Sequence, residues 1–250
     1  VGGGAGPFLQ HRGQLHHQHQ LAELRRREHV VLSVPDARAD SIRHAKTANI
    51  LYPAPIYLSD SGPLKREKQV FTHTFKGALA VKFRAIKPSD EEEMRRLFYR
   101  FSDTSVYYRY FSPIKTMPHC KMQEYVNIDY QRTMSLIGII DLSGTERIIA
   151  EGRYVRHHNL LFADVAFVVD ENYQGRGIAS FLFEMLIRAA REQGIKWFTA
   201  DVIADNKAML KVFEKAPFPI RAVMESGIYT LTIPFTDPGE PPAYPTSMKS

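Results

Sequence analysis

Between Asp170 and Gly194 the chain reads DENYQGRGIASFLFEMLIRAAREQG. An apolar run ends at Asp170. Beyond it Ile178, Phe181, Leu182, Met185, Leu186 and Ala189 recur at helical spacing and give one buried face. Between the two lie Gln174, Gly175, Arg176 and Gly177. A strand that feeds a helix through a glycine turn leaves backbone N–H groups pointing out of the helix start. With the helix dipole, those donors form an anion site. Glycine removes the side chain that would hold a phosphate away from the backbone, and Arg176 adds a positive charge. The junction predicts a phosphate or pyrophosphate ligand; a tight turn without a ligand is the plainer reading of the same residues. Gly-Lys-Ser/Thr is absent, which excludes the Walker A loop. G-x-G-x-x-G is incomplete because Ser180 stands at its third position, and the setting is antiparallel hairpins rather than a βαβ unit.

The remaining pattern predicts one α/β domain with a mixed sheet. ALAVKFRAI alternates as a strand, and SDEEEMRRLFYRFS reads as a helix with Ser89 as its N-cap and acids in its first turn. A second helix is expected from His119 to Ile128. MSLIGIID, RIIAEGRYVRH and LFADVAFVVD then read as strands, joined by LSGTE and HHN at hairpin length. WFTADVI, NKAMLKVFEKA, IRAVMES and IYTLTIPF follow as strand, helix, strand and strand. Residues 1–29, rich in Gly, Gln, His and Arg, read as a disordered arm. HRGQLHHQHQ lacks fixed ligand spacing, so no metal is expected there. Residues 30–76 form an N-terminal extension, with a short strand and a helix capped near Asp36, too short to bury its own core. The domain is expected over 77–236, and 237–250 form a Pro-rich tail.

Thirty-three Lys and Arg against 27 Asp and Glu leave a net charge of +6. That excess favours an anionic partner, such as cofactor phosphates or an acidic protein surface. It is spread along the chain, so nucleic acid is a poor candidate. No apolar stretch approaches the roughly 18 residues of a membrane span. Cys120 is the only cysteine, which rules out an internal disulfide and fits a reducing cytoplasm. The chain starts at Val1 without an initiator Met or a signal pattern and is expected to be a fragment or a processed form.

QGRGIA resembles the Q/R-x-x-G-x-G/A acyl-CoA pyrophosphate loop of the GNAT N-acetyltransferases, at Gln174, Gly177 and Ala179. ADVAFVVDENYQGRGIASFLFEMLIRAAREQGI is similar to that family's cofactor strand, loop and helix, and DVIADNKAMLKVFEKAPF to the strand and helix after them. LFYRFSDTSVYYRYF further resembles the GNAT domains of bacterial protein lysine acetyltransferases and of fusions with acetyl-CoA synthetase-like or hydrolase-like modules. The resemblance spans Gly77 to Phe235. It implies an α/β (α+β) fold with a mixed, mostly antiparallel sheet flanked by helices, acetyl-CoA as co-substrate, and no metal. It implies that the backbone of Phe167, Val168 and Val169 pairs with the pantetheine amides like an added strand. Amides of Gln174, Gly175, Arg176, Gly177, Ile178 and Ala179 would hold the pyrophosphate. Asn206 would contact pantetheine, or serve as an ordinary N-cap, or both.

Acyl transfer from a thioester to an amine needs the ammonium to lose a proton and the thioester oxygen to meet a donor. Asp164 stands where related domains often carry Glu, and its missing methylene favours a water relay; as a solvated strand-end charge it would do neither. Glu151, polar within IIAEG, is the second candidate. Phe213 occupies the place where many members carry a Tyr that protonates the leaving thiolate, and Pro217-Phe218 replaces the usual Gly-Phe. Cys120 lacks a paired His and reads as packing; His157 and His158 read as exposed turn residues. The leading expectation is an N-acetyltransferase acting on an amine, with protein lysine favoured over a small amine. The alternative is a non-catalytic acetyl-CoA-binding regulatory module of a fused or partner enzyme.

Overall fold

A computed structural model describes residues 70–157 and 161–235. Eight strands form one sheet in the order β1-β2-β3-β4-β5-β6-β8-β7. They are β1 (Phe71–Phe75), β2 (Leu79–Ala85), β3 (Thr133–Leu142), β4 (Thr145–Arg156), β5 (Phe162–Val169), β6 (Trp197–Ile203), β7 (Arg221–Glu225) and β8 (Ile228–Pro234). Five α-helices accompany them among the described residues: α1 (Glu91–Arg100), α2 (Asp103–Tyr110), α3 (His119–Val126), α4 (Ile178–Glu192) and α5 (Lys207–Glu214). Every neighbouring pair is antiparallel except β5 and β6.

The sheet separates two apolar layers. Val165, Phe167 and Val169 of β5 pack with Ile178, Leu182 and Leu186 of α4 on one face. Ile137, Ile139 and Ile148 pack with Met94 and Leu97 of α1 and Met122 of α3 on the other. This explains why β3 is apolar along most of its length: a central strand buried on both faces loses the simple alternation. Full burial of each large apolar side chain contributes about 1.5–3 kcal/mol. Gly152 is set by close packing, since a Cβ there would meet Phe167 Cδ1 at 2.9 Å. The β3–β4 hairpin closes on Ser143 and Gly144, both at positive φ (55° and 86°), as a two-residue hairpin turn requires.

Several elements differ from the sequence expectation. The sheet begins at Phe71, ahead of Gly77, because β1 pairs with β2 along its whole length. Ser89 does not cap α1. It lies inside a 3-10 turn, Pro88–Asp90, and Asp90 is the cap residue. Asp90 is held there by Arg84 (2.6 and 2.7 Å) and by the Lys87 backbone N–H (2.8 Å), which it accepts. The second expected helix stops at Val126 rather than Ile128. Helix α2 was absent from the expectation because only Val106 in it is buried, so it carries no apolar stripe. Its local signal is Ser102, whose hydroxyl accepts the Ser105 N–H at 3.2 Å. The N-terminal arm with its His-rich tract, the helix near Asp36, the HHN turn with His158, and the Pro-rich tail lie outside the described residues.

Candidate active site

Strands β5 and β6 pair in parallel at only three positions, ending with Asp164 opposite Thr199. Beyond that register both strands continue and part, β5 to Val169 and β6 to Ile203. A cavity of about 500 Å³ fills the opening. Residues 165–169 form one wall and Ala200, Asp201 and Val202 the other, while the starts of α4 and α5 close the mouth. Helix α2 contributes Ser105, Tyr108 and Arg109 to the opposite side, with Phe111 just beyond it.

The glycine turn sits at the mouth. Asp170, buried, caps the 3-10 turn Glu171–Tyr173 through the Asn172 N–H (3.1 Å) and pairs with Arg100 (2.9 Å). Gln174 Nε2 donates to the Val169 carbonyl at 2.9 Å and folds the loop back on the strand. Gly175 and Gly177 adopt φ of +72° and +99°, where a side chain would be strained. Gly177 is the N-cap of α4 and offers no capping side chain, so the first-turn amides keep free donors beside a cavity lined by Ile178, Ala179 and Ser180. Arg176 does not line the cavity; its guanidinium donates to the Lys76 carbonyl in the β1–β2 turn at 3.3 Å. Glu171 accepts from the Ser102 N–H (3.0 Å) and the Ser105 hydroxyl (2.6 Å), and the side chains of Ser102 and Ser105 together with that N–H hold its carboxyl below the ordinary range. The same loop therefore fixes the start of α2.

Phe167, Val168, Val169, Gln174, Gly175, Gly177, Ile178, Ala179 and Asn206 all line the cavity. Asn206 also accepts the Met209 N–H at 3.1 Å, so it caps α5 while facing the opening. Phe213 is buried against Phe167 and Phe183 and places an apolar ring in the cavity wall. Among the described residues the tyrosines of that wall are Tyr108 and Tyr173. Cys120 is exposed on α3.

The two carboxylate candidates share one face of the sheet, since Glu151 stands opposite Val168 and Asp164 lies four residues before Val168 on β5, an even offset. Neither lines the cavity, although Asp164 adjoins Val165, which does. Asp164 is largely exposed; Oδ1 accepts the Thr199 hydroxyl and Oδ2 lies 2.8 Å from His157 Nε2. Glu151 is fully buried. Its Oε1 accepts from Ser135 Oγ (2.7 Å) and Arg153 Nε (2.6 Å), its Oε2 from the Tyr125 hydroxyl (2.9 Å), and Arg109 Nη2 lies 3.8 Å away. Burial opposes the Glu151 charge, but Arg153 and Arg109 outweigh it and hold the carboxyl below its ordinary range. Burial also pushes the Tyr125 phenol up, so it remains a donor. Helix α2, and with it Tyr108 and Arg109, is the part of the site that sequence reasoning missed.

Among the described residues no helix is long and apolar enough to cross a membrane, and no group of His, Cys, Asp and Glu is arranged to hold a metal ion.

Comparison with known proteins gives a consistent result. Residues 92–218 match the acetyltransferase (GNAT) family. Acetyltransferase Pat of Mycolicibacterium smegmatis is 36% identical over 134 residues, which are 53% of this chain and 39% of that protein's own length. Acetyltransferase PA5475 of Pseudomonas aeruginosa is 26% identical over 129 residues, 52% of this chain and 69% of that protein. Among solved structures, the GNAT domain of S. lividans PAT aligns with a TM-score of 0.59 at 29% identity, over 65% of this chain and 95% of that domain.

Proposed function

Because the chain belongs to the acetyltransferase (GNAT) family, we propose that it moves the acetyl group of acetyl-CoA to the side-chain amine of a protein lysine. The observation that carries this reading is the opening between β5 and β6, with uncapped amides at the start of α4 and, along residues 165–169, a β5 edge that faces β6 without strand pairing to it. The pyrophosphate takes the amides of residues 174–179, where the helix dipole adds to the attraction. The pantetheine arm takes the backbone of Phe167, Val168 and Val169, and Asn206 meets it from the other wall. This lays the thioester toward the root of the opening, near Asp164 and Thr199.

The acceptor approaches from the α2 side. Asp201 in the cavity wall and Asp164 at its root supply negative charge for an incoming ammonium. Proton removal is assigned to the Asp164 position. Glu151, saturated by donors, positions Arg153 and Arg109 and through them the α2 wall. Acceptance by protein lysine rests on the likeness to proteins named Pat and on the wide, exposed approach beside Tyr107 and Tyr108. The bacterial relatives and the exposed, unpaired Cys120 favour a bacterial cytoplasmic enzyme.

The test pairs binding with turnover. Calorimetry should give acetyl-CoA binding, and free CoA should be released when a lysine-containing peptide is added. Gly177→Glu sets a carboxylate and a strained side chain where the pyrophosphate lies. It should weaken binding by well over the factor of ten that about 1.4 kcal/mol represents. Unchanged affinity in the folded variant removes the site. One observation favours the regulatory alternative: Phe213 puts a ring without a proton where a phenol would serve the leaving thiolate. Tight acetyl-CoA binding with no transfer to any amine decides for it.

A further inference from the structure

Asp164 does not stand alone at the root of the opening. Both its oxygens are engaged, one by the Thr199 hydroxyl and the other by His157 Nε2 at 2.8 Å. His157 follows β4 directly, and its N–H donates to the Phe162 carbonyl at 3.3 Å, which closes β4 onto β5. Its ring lies against Phe162 with centres 4.6 Å apart, and Phe162 stacks on Trp197 at 5.4 Å and 14°. The imidazole is thus fixed by a stacked aromatic pair and by a carboxylate. It still has 44% of its side-chain surface open to water.

We propose, on the acetyl-transfer reading above, that His157 is the proton acceptor of the reaction and Asp164 its positioning partner. A carboxylate on Nε2 keeps the hydrogen on that nitrogen, leaves the lone pair on Nδ1, and balances the imidazolium once it forms. Imidazole suits the task better than a carboxylate because its ordinary affinity for protons lies near neutral pH. The arrangement also accounts for the short side chain at position 164. An Asp whose oxygens hold Thr199 and His157 supports a base and need not itself reach the amine. The step balances as follows. One proton of the acceptor ammonium passes to Nδ1, directly or through one water, and then to solvent. The freed nitrogen pair attacks the thioester carbonyl carbon, the C–N bond forms and the C–S bond breaks. The second proton of the nitrogen neutralises the departing thiolate.

The experiment uses the 250-residue chain, acetyl-CoA, and an end-blocked peptide with one lysine, with free CoA as the readout. His157→Ala should lower kcat by about 10²-fold with acetyl-CoA affinity unchanged, and added imidazole should restore a substantial part of the lost rate. His157→Gln, whose amide still donates to Asp164, should be as slow as His157→Ala, whereas a purely structural histidine would tolerate that exchange. A His157→Gln enzyme near wild-type rate, or an alanine variant that imidazole does not rescue, overturns the proposal. If Asp164→Asn is slow while both His157 variants run at wild-type rate, the carboxylate is the base and the transfer reading stands without this refinement. A wild-type chain that binds acetyl-CoA yet acetylates nothing removes the transfer reading and this one together.

Discussion

Two carboxylates on one face of the sheet meet opposite fates. Glu151 is fully buried and receives Ser135, Arg153 and Tyr125, with Arg109 close by. Asp164, a neighbouring strand away, is largely exposed and holds a threonine hydroxyl and a histidine at the point where two strands separate. Their chemistry is the same; their coordination differs. A carboxylate whose lone pairs are filled by hydroxyls and a guanidinium in a dry interior, with a second guanidinium close by, is fixed as an ion and serves the fold. One that remains wet beside a cavity with a titratable partner is available for proton transfer.

The largest expected effect comes from removing the buried member. Glu151→Ala leaves Arg109 and Arg153 buried without their counter-ion, which should cost about 3–5 kcal/mol of stability. Chemical denaturation measures it, and a loss below about 1 kcal/mol would erase the distinction drawn between the two acids. Acid sharpens the same point. The folded carboxyl of Glu151 lies below its unfolded value of 4.5, so its contribution is fully present above that pH and is lost as pH falls through the folded value. Wild type should therefore lose stability on acidification below about pH 4.5 more steeply than Glu151→Gln, as read from midpoints across the pH series.

Asp164→Asn should show the reverse pattern. The rate of acetyl transfer should drop by about 10²-fold, while stability moves by less than about 1 kcal/mol because the group is exposed. Equal losses of rate and stability would make Asp164 a second structural acid. The smallest effect is expected at Asn206. Asn206→Ala removes the cap of α5 and should cost about 1 kcal/mol, with a modest fall in acetyl-CoA affinity. A thermal melt with and without the cofactor separates the two contributions.

The sheet was legible where periodicity is strong. WFTADVI is β6 to the residue, and the apolar stripe from Ile178 to Ala189 falls within α4. The glycine turn was legible because its strain and its bare amides are local properties. Helix α2 was not, since one buried valine makes no stripe, and β1 was not, being five residues at the sheet edge. Asp90 displaced Ser89 as the cap because Arg84 reaches it from β2, a contact made by the fold. The same holds for the candidate acids. IIAEG shows a polar residue among apolar ones, but nothing in it announces Tyr125 or Arg109 from two separate helices. His157 and Asp164 meet only because a hairpin brings β4 back along β5.

The pairing of β5 with β6 stops after three residues. Past Asp164 and Thr199 the two strands face each other with an internal edge on each side, and amides and carbonyls there lack strand partners across the gap. Such an edge is a template for any extended chain that fits. On the binding mode proposed above, the pantetheine arm acts as a missing strand as well as a carrier, and loading should close the sheet. By linkage, acetyl-CoA at a hundred times its Kd should add about 2.7 kcal/mol to the stability of the fold.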